Sequence, residues 1–175
     1  MKKPLFILIL LAFAACTEIS FQEPQPKDKK SLTTVPPSLR GSYLLKDENG
    51  SVKDTLTVTA RGYVVGHNRT EEASLSDSLI LKYYKGYYFL NMNEKPEWFL
   101  RVLKQEKNGD LIYMDMDHDS QNFNPFIARL SKEIRVDSLE VKGEKLYQID
   151  PSPKQLISLI KKGFFKKTVL QKMKP

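Results

Sequence analysis

Cysteine is nearly absent from this 175-residue chain, which holds one, Cys16. A disulfide within the chain is therefore excluded. Histidine is almost as scarce, with two residues, too few for a His-rich metal site. No apolar run is long enough for a membrane span. The uncharged stretch Pro4 to Cys16 has 13 residues, whereas a helix crossing a bilayer needs roughly 20. Gly-x-Ser-x-Gly, His-Glu-x-x-His and Gly-rich phosphate loops are all missing, so no familiar hydrolase, metalloprotease or nucleotide-binding motif points to catalysis. Acidic residues are outnumbered, 21 against 28 basic, for a formal charge of +7. Apolar residues, at 41%, suffice for a folded core.

The N-terminus reads as an address. Lys2 and Lys3 precede the apolar run Leu5 to Phe13, followed by Ala14, Ala15 and Cys16. This is the pattern of a signal peptide over residues 1–15. The ending Phe13-Ala14-Ala15-Cys16 resembles the bacterial lipobox, although Phe13 stands where Leu is usual. That resemblance implies a diacylglycerol and an N-acyl chain, such as palmitate, on Cys16. Several buried acyl chains make anchoring effectively permanent. Thr17, where Asp would retain a lipoprotein at the inner membrane, favours the outer membrane. Its periplasmic and surface faces both stay open. The competing reading is ordinary cleavage after a small-x-small pair, with Cys16 incidental.

Residues 16–39 read as the lipidated Cys and a tether, because Pro24, Pro26, Pro36 and Pro37 lie among polar residues with few apolar anchors. A β-domain is expected over 40–150. Leu56 and Val58, Leu79 and Leu81, Trp98, Leu100 and Val102, and Ile112, Met114 and Met116 alternate with period two. Turn signals separate them at Asn49-Gly50, Arg61-Gly62, Lys85-Gly86, Asn108-Gly109 and Lys142-Gly143. The fold class expected is mainly β: an antiparallel meander forming a small barrel or strongly curled sheet. Over 151–175 the pattern changes to a basic C-terminal helix and tail. Ser152-Pro153-Lys154-Gln155 forms a capping box, Leu156, Ile157, Leu159 and Ile160 an apolar stripe, and Gly163 a stop. The helix is expected to cap an open end or edge of the sheet, with residues 164–170 as a final strand or a second amphipathic piece.

Four features qualify as candidate sites. Asp115, Asp117 and Asp119 offer hard oxygen donors two apart, suited to calcium. The EF-hand pattern fails, since Ser120 and Phe126 fall where Gly and Glu are required. A solvated strand end is the simpler reading, and no cofactor or metal is assigned. Tyr83, Tyr84, Tyr87 and Tyr88 flank the Lys85-Gly86 turn. Adjacent tyrosines point to opposite faces, so some could present a binding surface for a sugar or protein, against ordinary cross-strand pairing. Asp54-Thr55-Leu56, Asp77-Ser78-Leu79 and Asp137-Ser138-Leu139 form a weak repeat. It reads as turn chemistry at the start of strands. It also resembles a bacterial O-glycosylation sequon, which would modify Thr55, Ser78 and Ser138. The fourth feature is the tail, where seven Lys among Phe164, Phe165, Leu170 and Met173 could meet an anionic lipid surface or form a solvated face.

Charge distribution removes nucleic acid as a partner. Without Lys2 and Lys3 the balance is +5, and the last 25 residues alone carry +7, leaving 19 basic against 21 acidic side chains over 17–150. The β-domain is thus slightly acidic. In layout the chain resembles small bacterial envelope lipoproteins. The resemblance implies a non-enzymatic binding or assembly module anchored through Cys16, with an envelope protein or glycan as partner. The other class is a hydrolase of envelope glycans with unidentified carboxylates.

Overall fold

The computed structural model describes residues 19–46, 49–66, 69, 71–116, 122–141 and 144–174. The described residues are mainly β, with twelve strands and two helices among them. β1 (Ile19–Phe21) comes first, then a 3-10 turn at Pro37–Leu39, then β2 (Gly41–Lys46), β3 (Val52–Val58), β4 (Gly62–Val65) and β5 (Glu71–Ser74). β6 (Leu79–Tyr84), β7 (Tyr87–Glu94), β8 (Glu97–Gln105) and β9 (Leu111–Asp115) follow, ahead of helix α1 (Phe123–Leu130). β10 (Val136–Val141), β11 (Glu144–Ile149), helix α2 (Pro153–Lys161) and β12 (Lys166–Lys172) complete it.

Hairpins dominate because the turns carry the right residues. Between β6 and β7, Lys85 and Gly86 both have positive φ, at 48° and 84°. That is the two-residue turn whose twist matches the paired strands. Gly62 serves a different need. A Cβ there would stand 1.9 Å from the Ala73 carbonyl oxygen, so β4 and β5 approach as only glycine allows.

The sheet departs from a simple meander in two places. β12 lies between β9 and β2, antiparallel to both, and β1 runs parallel to β11 while touching β8 at Phe21–Trp98. The sheet is therefore mixed. Nor does it close into a barrel. The path β6-β7-β8-β9-β12-β2-β3-β4-β5 curls round, but β5 and β6 do not pair. The N-terminal segment occupies part of the β6 edge instead: Ser31 bridges Lys82 and the Leu32 amide donates to the Leu81 carbonyl at 2.7 Å.

That contact corrects the expected tether. From Ile19 to Leu39 the chain is packed, with Ile19, Phe21, Gln25, Val35 and Leu39 buried. Local composition is Pro-rich, but long-range partners hold it. Asn91 accepts the Gln25 amide at 2.6 Å and donates to the Gln25 carbonyl at 2.8 Å, acting as a strand neighbour. Lys82 donates to the Pro24 and Pro26 carbonyls at 2.7 and 3.0 Å. Lys27 pairs with Glu23 and Asp150. The ordered β-domain thus begins some twenty residues before residue 40.

The C-terminal end is corrected as well. α2 has the expected capping box: Ser152 Oγ accepts the Gln155 amide at 3.3 Å and Gln155 Oε1 accepts the Ser152 amide at 3.0 Å. Gly163 stops it with φ 77°, and the Phe164 amide reaches back to the Leu159 carbonyl at 3.1 Å. α2 does not cap an end of the sheet. Leu156, Ile157, Leu159 and Ile160 join Phe123, Phe126 and Leu130 of α1 over Phe89, Leu100, Val102 and Met114 on one sheet face. Of the two readings open for the segment after α2, the strand holds, as β12. Helix α1 is an addition to the elements expected from the sequence.

Candidate functional site

Strands β6 to β9 are buried on both faces, which is why their apolar runs are nearly continuous. One face carries Phe89, Leu100, Val102 and Met114 under the helices. The other turns Leu79, Leu81, Leu90, Met92, Leu103, Leu111 and Tyr113 into the hollow of the curled sheet. β2, β3, β4 and β12 close around the same space with Leu45, Leu56, Val58, Val65 and Leu170. These side chains stop short of one another and leave a cavity of about 450 Å³. That lies within the range of small-molecule sites. A core chosen for packing alone fills such a gap, because interiors approach crystal density.

The two ends of the cavity differ. At one end Val35 and Leu39, from the segment beside the 3-10 turn, meet Val58 at the end of β3 and Leu111 at the start of β9. This end is tied shut. The Val35 amide donates to the Ala60 carbonyl at 2.9 Å, and the buried Tyr43 hydroxyl donates to the Leu39 carbonyl at 2.8 Å. Burial pushes the Tyr43 hydroxyl above its ordinary pKa, with the Asp110 charge adding to it, so it stays a donor at any physiological pH.

At the other end β4 finishes at Val65 and β5 opens at Glu71, near Leu79 at the start of β6. Arg101, Tyr63, Tyr113 and Thr168 complete the polar part of the lining. The Tyr63 hydroxyl donates to Glu71 Oε1 at 2.7 Å. Burial raises the Tyr63 pKa, the bond to Glu71 and the Glu71 charge raise it further, and Arg101 is near enough to pull it back. Arg101 also donates to the Leu100 carbonyl at 3.2 Å, which helps fix its guanidinium. The site is thus an apolar sleeve, closed at one end and carrying a charged, hydrogen-bonding rim at the other.

The residues singled out from the sequence fall elsewhere. Cys16 lies outside the described residues, as do Asp117, Asp119, His67 and His118. Asp115 ends β9 half-buried, opposite Lys166. Among the described residues no group of three His, Cys, Asp or Glu could hold a metal, and no helix is long and apolar enough to cross a membrane. The four tyrosines divide two and two. Tyr84 and Tyr87 pack on the helix-covered face, where Lys29 stands 4.8 Å from the centre of the Tyr84 ring. Tyr83 and Tyr88 stand on the cavity face with ring centres 4.9 Å apart, and Tyr83 is 49% exposed. Ser78 and Ser138 are exposed, while Thr55 is half-buried within β3. Phe164, Phe165 and Leu170 are buried, so of the tail's apolar residues Val169 and Met173 remain outside.

The sequence did hold a signal for the cavity. Leu79 and Leu81 alternate correctly onto its wall, as do Leu56 and Val58. What sequence spacing could not show is that the walls stay apart. Comparison with protein-family models, curated proteins and solved structures finds no match for this chain.

Proposed function

We propose that this is a lipid-anchored cell-envelope protein, held at the outer membrane through Cys16 and working as a non-enzymatic binding module for a small apolar molecule. The observation that carries the binding reading is the leucine-lined cavity inside the curled sheet. Anchoring rests on the N-terminal pattern. β1 begins three residues after Cys16, so a lipid there would hold the β-domain within roughly 10 Å of the bilayer surface rather than on a long leash. Glycan hydrolysis finds less support. Among the described residues, Glu71 is the one carboxylate lining the cavity, and such chemistry uses two facing carboxyls.

The test uses the mature chain with Cys16→Ser, which carries every described residue and no acyl chain. An apolar fluorescent probe should bind saturably at one site. Leu103→Trp, which fills the middle of the cavity, should abolish binding while leaving the far-ultraviolet circular dichroism intact. Absent probe binding, or binding indifferent to Leu103→Trp, would remove the binding-module reading. For the anchor, the native protein should show the mass of an acylated Cys16 and leave the membrane fraction on Cys16→Ser. The same spectrum tests glycans on Thr55, Ser78 and Ser138.

A further inference from the structure

We infer that the ligand is a compact, uncharged molecule of fused or bridged rings, not an extended acyl chain. This inference rests on the binding reading above and gives that ligand its shape and charge. Shape follows from how little of each strand faces the cavity. β6 contributes Leu79 and Leu81, β7 Leu90 and Met92, and β12 Thr168 and Leu170, while β3, β8 and β9 likewise give two side chains each. Every pair is one i, i+2 step, so the wall is two side-chain layers high, with layer centres at most about 7 Å apart. The layers climb one step from β7 to β8 and another from β8 to β9, where Leu90 lies opposite Arg101 and Leu103 opposite Tyr113. That stagger belongs to tilted strands in a curled sheet. Val35 and Leu39 then floor the lower layer. An acyl chain filling one leaflet of a hydrocarbon core about 30 Å thick is roughly 15 Å long. In this hollow such a chain must double back or leave its end in water.

Breadth runs the other way. The nine strands β6-β7-β8-β9-β12-β2-β3-β4-β5 surround the space, and about eight already enclose room for a small ligand. A volume of about 450 Å³ held within two layers is short and wide. Rings fill width without losing rotational freedom, whereas a doubled chain gives that freedom up. The wall also selects against charge. Glu71 and Arg101 put opposite signs on one rim, so neither an anionic nor a cationic head gains from their sum. The Tyr63 hydroxyl is already donated to Glu71 Oε1 at 2.7 Å. Below the rim, Leu81, Leu90, Leu103, Leu111 and Leu170 line the lower layer, where an ion would lose its hydration without a partner.

The experiment measures displacement of N-phenyl-1-naphthylamine, an uncharged fluorescent probe, from the Cys16→Ser mature chain. The competitors are the straight-chain alcohols from 1-hexanol to 1-tetradecanol and cedrol, a tricyclic alcohol. Straight chains should gain about fourfold per added methylene at first, as each buries more apolar surface. The gain should stop at about ten carbons, where the chain outruns two side-chain layers. Cedrol should displace the probe at about a tenth of the concentration that the best straight chain needs. Octanoate and octyltrimethylammonium should both be weaker than 1-octanol. Leu39→Ala, which lowers the floor, should move the plateau to longer chains; the wild-type series decides whether or not that variant folds. A gain that continues through 1-tetradecanol, or cedrol weaker than 1-decanol, would overturn the compact shape. Either charged head binding more tightly than 1-octanol would overturn the lack of charge. These outcomes leave the binding reading intact, whereas failure of every ligand and of the probe would overturn both.

Discussion

At the scale of single residues, Tyr43, Gly62 and Lys82 each hold a different part of the curled sheet in place. Tyr43 ties the 3-10 turn to β2 through its hydroxyl. Tyr43→Phe keeps the ring and strands the buried Leu39 carbonyl, so it should cost about 1–2 kcal/mol in urea unfolding. Gly62 is needed for backbone approach. Gly62→Ala must push β5 away from β4 and should cost about 1–3 kcal/mol by the same measurement, with the change felt at the cavity wall that Gly62 lines. Lys82 sits buried, its ammonium donating to two proline carbonyls and, among the described residues, to no carboxylate. Burial lowers its pKa below 10.5, against the pull of Glu23 and Asp28. Between that lowered value and 10.5 the unfolded chain binds more protons than the folded one, so stability rises with pH across this window. Lys27 runs the other way. Its pKa is raised, chiefly by its hydrogen bond to Asp150, so its contribution persists to 10.5 and is lost above. The stability difference between wild type and Lys82→Met should therefore move in favour of wild type as pH approaches 10.5; a flat or reversed trend would show that Lys82 is not desolvated.

At the scale of elements, α2 and the N-terminal segment make opposite cases about what local sequence reveals. α2 was legible because its determinants are local: Ser152, Pro153, Gln155, the apolar stripe and Gly163 lie within twelve residues. Ser152→Ala should cost about 1 kcal/mol by removing the cap. Helix α1 carries a readable signal in Phe123, Phe126 and Leu130, spaced to share one face, but its eight residues lack a side-chain cap to mark where it starts. Residues 22–39 could not have been read locally. Their order comes from Asn91 and Lys82, more than fifty residues away in sequence. Asn91→Ala should free this segment first, seen as faster hydrogen exchange at the Gln25 amide and new protease cuts over 22–39 before global unfolding. Unchanged protection there would mean that Lys82 and the buried apolar side chains hold it without Asn91. The same segment lying along β6 helps explain why a sheet with barrel-like alternation does not seal.

At the scale of the whole molecule, period-two alternation placed the right residues on the right faces, and a mainly β fold followed. The position of β12 between β9 and β2, and of β1 beside β11, depends on pairings across the chain that no local pattern encodes. The cavity belongs to this scale too. It arises from curvature, from an N-terminal plug and from leucines too short to meet across the gap. Its rim draws on β4, β5, β8, β9 and β12, so no short motif could have announced it. The charge of the molecule takes on a spatial meaning as well. Lys154, Lys161, Lys166 and Lys167 are exposed on α2 and β12 while the neighbouring phenylalanines face inward. The basic C-terminal segment thus presents these lysines on the surface of the fold.

The central claim is that the hollow of the sheet holds a small apolar ligand. Native mass spectrometry of the protein purified from its own membrane tests this most directly. Wild type should retain one non-covalent adduct beyond the covalent lipid, and Leu103→Trp should lose it while keeping the lipid. A wild-type mass without any adduct, or an adduct that survives Leu103→Trp, would contradict the claim.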